Sequence, residues 1–184
     1  MARLQALDPA AAEGKTKALF DGVQKKLGVV PNLLRTLGAS PAALESYLSF
    51  SQALNGAGLD ARTREAIALT VAGVNACDYC ASAHTAIGGS LGMAEDQLAE
   101  NLQGRSSDPG TAAVLTFAAA VTRKRGLVSD EDLAELRRAG FDDAAAVEIV
   151  ATVALNLLTN YTNHVAQTEI DFPKVETGPE SAAA

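Results

Sequence analysis

Cys77, Cys80 and His84 stand at i, i+3 and i+7 in the run Cys77-Asp78-Tyr79-Cys80-Ala81-Ser82-Ala83-His84. On a helix that spacing puts both sulfurs and the imidazole on one stripe. These are the only 2 cysteines of a 184-residue chain that has 2 histidines in all. The concentration of reactive side chains points to redox chemistry, in which the thiolate is the nucleophile. An ordinary cysteine, with a pKa of about 8.5, is only a few per cent thiolate at neutral pH. A helix N-terminus favours the anion, and an imidazole one turn on can accept the proton. Both devices converge on Cys80, the better activated of the two sulfurs.

The elements that must position these groups are legible as helices. Asn75 interrupts an apolar, alanine-rich run and predicts a reversal just before Cys77, with a new helix running to about Leu91 and stopping at Gly92. If the helices on either side of Asn75 pack antiparallel, Glu65 falls level with His84. A carboxylate beside the ring would orient it and raise its basicity, giving a relay of Glu65, His84 and Cys80. Elsewhere Asp8-Pro9 predicts a first helix ending at Gly28, and Leu33, Leu34 and Leu37 a short one ending at Gly38. Ser40-Pro41 and Asp60 read as caps of the next two helices. Short helices from Glu95 to Leu102 and from Ser129 to Ala139 flank one from about Thr111 to Lys124. A long apolar helix runs from about Asp143 into the 160s.

The expected fold is all-α, a multi-helical bundle of about eight helices with the Cys-x-x-Cys pair at the N-terminal end of one of them. Composition agrees: hydrophobic residues make up 48%, aromatics 4%, and alanine is abundant, which suits close helix packing rather than a sheet. One domain over residues 1–172 is expected, followed by a flexible tail over 173–184. A net charge of -7 argues against nucleic acid as partner, because binding a phosphate backbone requires a cationic footprint. The N-terminus lacks a secretory pattern and no uninterrupted apolar run reaches membrane-spanning length, so a cytoplasmic protein without a membrane partner is expected. In a reducing compartment a Cys-x-x-Cys pair serves catalysis or metal binding rather than stapling.

Plainer readings stand beside these. The cysteines could be small buried hydrophobes, or half of a zinc site completed by His84 and His164, eighty residues away. Asn160, Tyr161, Asn163 and His164 form a polar patch at the end of the long apolar helix, for which capping and interface roles are favoured over a place in a substrate pocket.

Glu65, eleven intervening residues, Cys77-x-x-Cys80, three more and His84 together resemble the signature of the alkyl hydroperoxidase D branch of the carboxymuconolactone decarboxylase-like family. Asn75-x-Cys77-x-Tyr79-Cys80, Val30-Pro31-Asn32-Leu33 and Thr168-Glu169-Ile170-Asp171-Phe172-Pro173 are similar to its peroxidase-related members. The resemblance covers about residues 20 to 172. It implies an all-α fold, assembly as homo-oligomers (trimers or hexamers), and peroxidase chemistry with neither cofactor nor metal. In that pattern Cys80 is oxidised by hydrogen peroxide or an organic hydroperoxide to a sulfenic acid, and Cys77 resolves it as a disulfide. Glu65 and His84 manage the protons, and a dithiol reductant such as a lipoyl-bearing or thioredoxin-like protein restores the pair. Some members carry a second histidine where this chain has Tyr79, which cannot act as a neutral-pH base but whose hydroxyl can donate to sulfur or to a peroxide oxygen. The competing expectations are a decarboxylase of the same family, which needs no cysteine pair, and a redox-responsive binding protein without turnover.

Overall fold

Side-chain oxygens start the helices where the chain offers them. In the computed structural model, which describes residues 2–178, Ser40 Oγ accepts from the Ala43 N–H and Asp60 Oδ1 from the Thr63 N–H. These bonds satisfy amides that the first turn of a helix leaves open. They begin α3 (Pro41–Leu54) and α4 (Ala61–Val74), which follow α1 (Gly14–Leu27) and α2 (Asn32–Leu37). Then come α5 (Asp78–Ser90), α6 (Glu95–Leu102), α7 (Pro109–Arg123), α8 (Asp130–Arg138) and α9 (Asp143–Ala166). Asp108, Ser129 and Asp142 cap the last three, Ser129 in a reciprocal capping box with Asp132. Among the described residues there are nine helices and no strand, so the all-α expectation holds.

Two boundaries differ from the sequence reading. Asp8 does not cap α1: its Oδ1 accepts from Ala10 N–H and its carbonyl from Ala11 N–H, a local turn, and the helix waits until Gly14 at φ 55°. Asp and Pro are turn residues as much as helix starters, and here the turn wins. The α7 helix begins at Pro109, two residues earlier than expected, because Asp108 Oδ1 reaches the Thr111 N–H.

The centre of the bundle is α4, buried continuously from Ala66 to Gly73 and packed against α5, α6, α7 and α9. Gly73 lets α6 approach: a Cβ there would lie 2.0 Å from the Leu102 carbonyl oxygen. One apolar cluster joins α4 to α6, α7, α8 and α9 through residues such as Ile67, Leu69, Leu115, Leu136 and Ile149. A second unites Phe20, Leu33, Leu34, Leu37 and Leu44 from the first three helices with Cys77, Tyr79, Cys80 and Ala81. The cysteines are thus part of a packed interior.

The longest helix, α9, is by length and composition able to cross a membrane, although Glu148, Asn156, Asn160 and Asn163 interrupt its apolar run. It serves as a wall of the bundle, with Thr152, Asn156, Thr159, Asn160 and Asn163 buried against its neighbours. The part of the tail that is described is also held: Val175 and Thr177 hydrogen-bond to Ser82 and Asp78 of α5, where the sequence suggests a loose end. Its last six residues, 179–184, lie outside the described residues.

Candidate active site

The junction between α4 and α5 sets the two sulfurs. Asn75 ends α4 and Ala76 takes a left-handed conformation at φ 54°, uncommon for a residue with a Cβ. Cys77 becomes the N-cap of α5, its Sγ accepting from the Cys80 N–H at 3.4 Å, and Cys80 sits in the first turn. Both side chains are buried free thiols. The Cys77 thiol donates to Cys80 Sγ across 2.8 Å, so the sulfurs are already neighbours.

The Cys80 sulfur is surrounded by donors. It receives the Cys77 thiol proton and, from α9, Asn163 Nδ2 at 3.2 Å. Asn160 brings a fully buried amide to the same sulfur: its Oδ1 accepts from Asn75 Nδ2 at 2.9 Å, and its Nδ2 has no other hydrogen-bond partner. Thr159 adds least, since its hydroxyl donates to the Asn156 carbonyl at 2.9 Å. The Cys77 bond first, then the amides of Asn163 and Asn160, hold the Cys80 thiol below its ordinary pKa against the upward push of burial. Cys77 moves the other way, pushed up by donating to Cys80, by burial and by the neighbouring sulfur's charge. The surroundings thus favour the thiolate at Cys80 and the thiol at Cys77.

Glu65 and His84 meet as antiparallel packing requires, with Glu65 Oε2 2.7 Å from His84 Nδ1. Burial depresses the imidazolium, but the Glu65 charge and hydrogen bond outweigh it, assisted by a bond between the ring and the Asn156 side chain, so the His84 pKa is raised. Among the described residues, no hydrogen bond joins the His84 ring to the Cys80 sulfur, whose partners are Cys77 and the amides of Asn163 and Asn160. The linear Glu65, His84, Cys80 relay is therefore replaced by two groups facing a common space. That space is an apolar cavity of about 110 Å³ bounded by Cys80, His84, Tyr47, Tyr79 and Phe172 among others. The Tyr47 hydroxyl, pushed up to about 12 by burial and by the charges of Glu65 and Cys80, is a protonated donor at neutral pH.

Tyr79 brings its ring to the cavity, but its hydroxyl is engaged elsewhere: it accepts from the Leu33 N–H at 3.0 Å and bonds Asp171. The expected donation to sulfur or peroxide gives way to a structural role, tying α5 to α2 and the C-terminal segment. His164 is exposed on the last turn of α9, and among the described residues no group of three or more His, Cys, Asp or Glu side chains could hold a metal. Asn160 and Asn163, favoured in the sequence as capping or interface residues, are the buried donors at Cys80, while their neighbour Tyr161 is exposed. Asn156 and Thr159 have no counterpart in the sequence reading. The available signal is their spacing: positions 156, 159, 160 and 163 put four polar side chains on one stripe of an otherwise apolar helix.

Residues 41–124 match the model of the carboxymuconolactone decarboxylase family, a stretch that holds α3 to α7 and with them Glu65, Cys77, Cys80 and His84. No curated protein sequence is significantly similar to the chain. Among solved structures, a peroxidase-related protein with an alkylhydroperoxidase AhpD core from Ralstonia eutropha JMP134 superposes with a TM-score of 0.80 at 29% identity, over 92% of each chain. A peroxidase-related protein from Silicibacter sp. TM1040 gives 0.78 at 26% identity, covering 92% of this chain and 94% of its own. The debrominase Bmp8, as a variant in complex with 2,3,4-tribromopyrrole, gives 0.78 at 21% identity over 92% of this chain and 91% of its own, a likeness of fold. Residues 41–124 thus carry the likeness to the carboxymuconolactone decarboxylase family, and the all-α architecture with Cys77-x-x-Cys80 at the start of α5 is similar to that of the AhpD-like peroxidase-related proteins.

Proposed function

We propose that the protein is a thiol-dependent peroxidase that reduces hydrogen peroxide or an organic hydroperoxide through Cys80 and Cys77. The observation that carries this is the asymmetry of the sulfur pair: 2.8 Å apart, one held toward the thiolate by buried donors and open to a cavity, the other held as the thiol. The Cys80 thiolate attacks the distal oxygen, the O–O bond breaks, and the departing alkoxide or hydroxide takes a proton from His84, leaving Cys80 as a sulfenic acid. The Cys77 sulfur then displaces that hydroxyl as water, its own proton leaving with it, and a disulfide forms. An external dithiol, on a lipoyl-bearing or thioredoxin-like partner, reduces the disulfide by exchange and is itself oxidised. Protons pass between His84 and sulfur by way of the bound peroxide, consistent with both groups facing one cavity. Glu65 holds the ring and its charge, and no cofactor enters the cycle.

Turnover separates this reading from a decarboxylase and from a redox-responsive binder. With dithiothreitol as donor, the protein is expected to consume peroxide catalytically, and Cys80→Ser to lose at least about 10³-fold of that rate. Cys77→Ser is expected to react once and retain a sulfenic acid that dimedone traps at Cys80. A Cys80→Ser protein as fast as the parent rejects the assignment. Assembly as a homo-oligomer, a trimer or hexamer, belongs to the same proposal. Val147, Val150, Leu158, Tyr161 and Val165 form an exposed apolar row along α9, of the kind that covers itself in association. Sedimentation should give a mass above one chain, and Leu158→Glu should lower it.

A further inference from the structure

After α9 the chain turns at Gln167, at φ 49°, and returns over the cysteine helix as an extended strap. Hydrogen bonds fix it at both ends. Near its start Asp171 Oδ2 accepts from the Asn32 N–H at 2.8 Å, and Asn32 Nδ2 donates to the Glu169 carbonyl at 3.1 Å. Further on, Val175 N–H donates to Ser82 Oγ at 2.9 Å, and Thr177 gives Asp78 Oδ1 both its N–H, at 2.9 Å, and its hydroxyl, at 2.8 Å. Asp78 and Ser82 lie on α5 beside the two cysteines, so the strap is anchored in the same frame as the reactive sulfur.

Between the anchors sits Phe172. Its ring meets Tyr79 edge to face, with centroids 5.8 Å apart at 90°, and packs on the apolar cluster that contains Cys80. It also forms a wall of the cavity next to Cys80 and His84. Cavities for drug-sized ligands span about 300–1,000 Å³; this one, at about 110 Å³, takes only a few heavy atoms. Most of its other walls come from α2, α3, α5 and α9, whereas Phe172 comes from a segment outside the helices.

The geometry points to Phe172, clamped by the strap between Asn32 and the Asp78 and Ser82 pair, as the residue that sets how large a group can reach the Cys80 sulfur. For the substrate this rests on the peroxidase reading and makes the site select compact hydroperoxides over those bearing a bulky ring. The steric limit itself holds for any electrophile.

The test uses two alkylating probes, iodoacetamide and N-(1-pyrenyl)maleimide, on the reduced full chain, with modification at Cys80 followed by peptide mass. Apolar pockets change discrimination by about 10–200-fold for a single methylene, so Phe172→Ala should raise the pyrenylmaleimide to iodoacetamide rate ratio by at least about tenfold. Phe172→Leu should fall between it and the parent. Thr177→Val, which loosens the anchor and leaves the wall intact, should raise the ratio as well; with Phe172→Leu it carries the same reading if Phe172→Ala does not fold. Ratios within about twofold of the parent in the folded variants overturn the assignment, whether or not peroxide is consumed. Cumene hydroperoxide against hydrogen peroxide should follow the same order. If no peroxide reacts while the alkylation ratio still rises, the peroxidase reading falls and the steric assignment stands.

Discussion

The Cys80 sulfur depends on a few donors, and the most direct is Asn163, 3.2 Å away on a helix eighty residues further on. A hydrogen bond to a charged group contributes about 1.5–3 kcal/mol, so Asn163→Leu should move the midpoint of Cys80 alkylation upward by about one to two pH units. Iodoacetamide rates across pH measure this. For the proposed peroxidase cycle, the expected pH profile follows from two opposite shifts. Cys80, with its pKa lowered, is thiolate from a pH below the ordinary cysteine value, so activity rises on that limb earlier than for a free thiol. His84, with its pKa raised, keeps the proton it must donate beyond the ordinary imidazole value, and activity falls as pH passes its raised pKa. In Glu65→Gln the burial that depresses His84 remains while the charge opposing it is gone. The falling limb should therefore move to lower pH, and a limb that stays in place or moves up contradicts the role given to Glu65.

At the scale of elements, much of the site was written in the chain as punctuation. Asn75 before Cys77 marks a reversal, and once α4 and α5 are antiparallel the count of residues on either side brings Glu65 to His84, as found. The third wall was harder to read. The long helix α9 has Asn156, Thr159, Asn160 and Asn163 on one stripe, but nothing local says that this stripe faces α5, because that depends on packing between segments far apart in sequence. Asp8-Pro9 shows the opposite failure: a strong local signal was satisfied by a turn. Tyr79 likewise stands where its hydroxyl could donate to sulfur or peroxide, yet that hydroxyl is taken by the Leu33 amide and Asp171. The packing of α4 offers its own check. Because a Cβ at Gly73 would strike the Leu102 carbonyl, backbone that cannot step aside, Gly73→Ala should destabilise the fold by about 3 kcal/mol, read as a lower urea midpoint.

On the scale of the whole molecule, the family match ends at residue 124, whereas the donors to Cys80 on α9 and the Phe172 strap lie beyond it. The stretch that matches holds Glu65, Cys77, Cys80 and His84, and the C-terminal third brings Asn163 to the Cys80 sulfur and Phe172 to the cavity wall. Composition pointed to helices and against a polyanion partner, but it held no information on that division. The central claim, that the two sulfurs work as one dithiol, is tested most directly by adding less than one equivalent of hydrogen peroxide to the reduced protein and measuring thiols and intact mass together. Two thiols lost per peroxide, a protein lighter by two hydrogens and a Cys77 to Cys80 bridge in the peptide map are the expected result. Peroxide left unconsumed, or a protein heavier by oxygen with Cys77 still free, would contradict it.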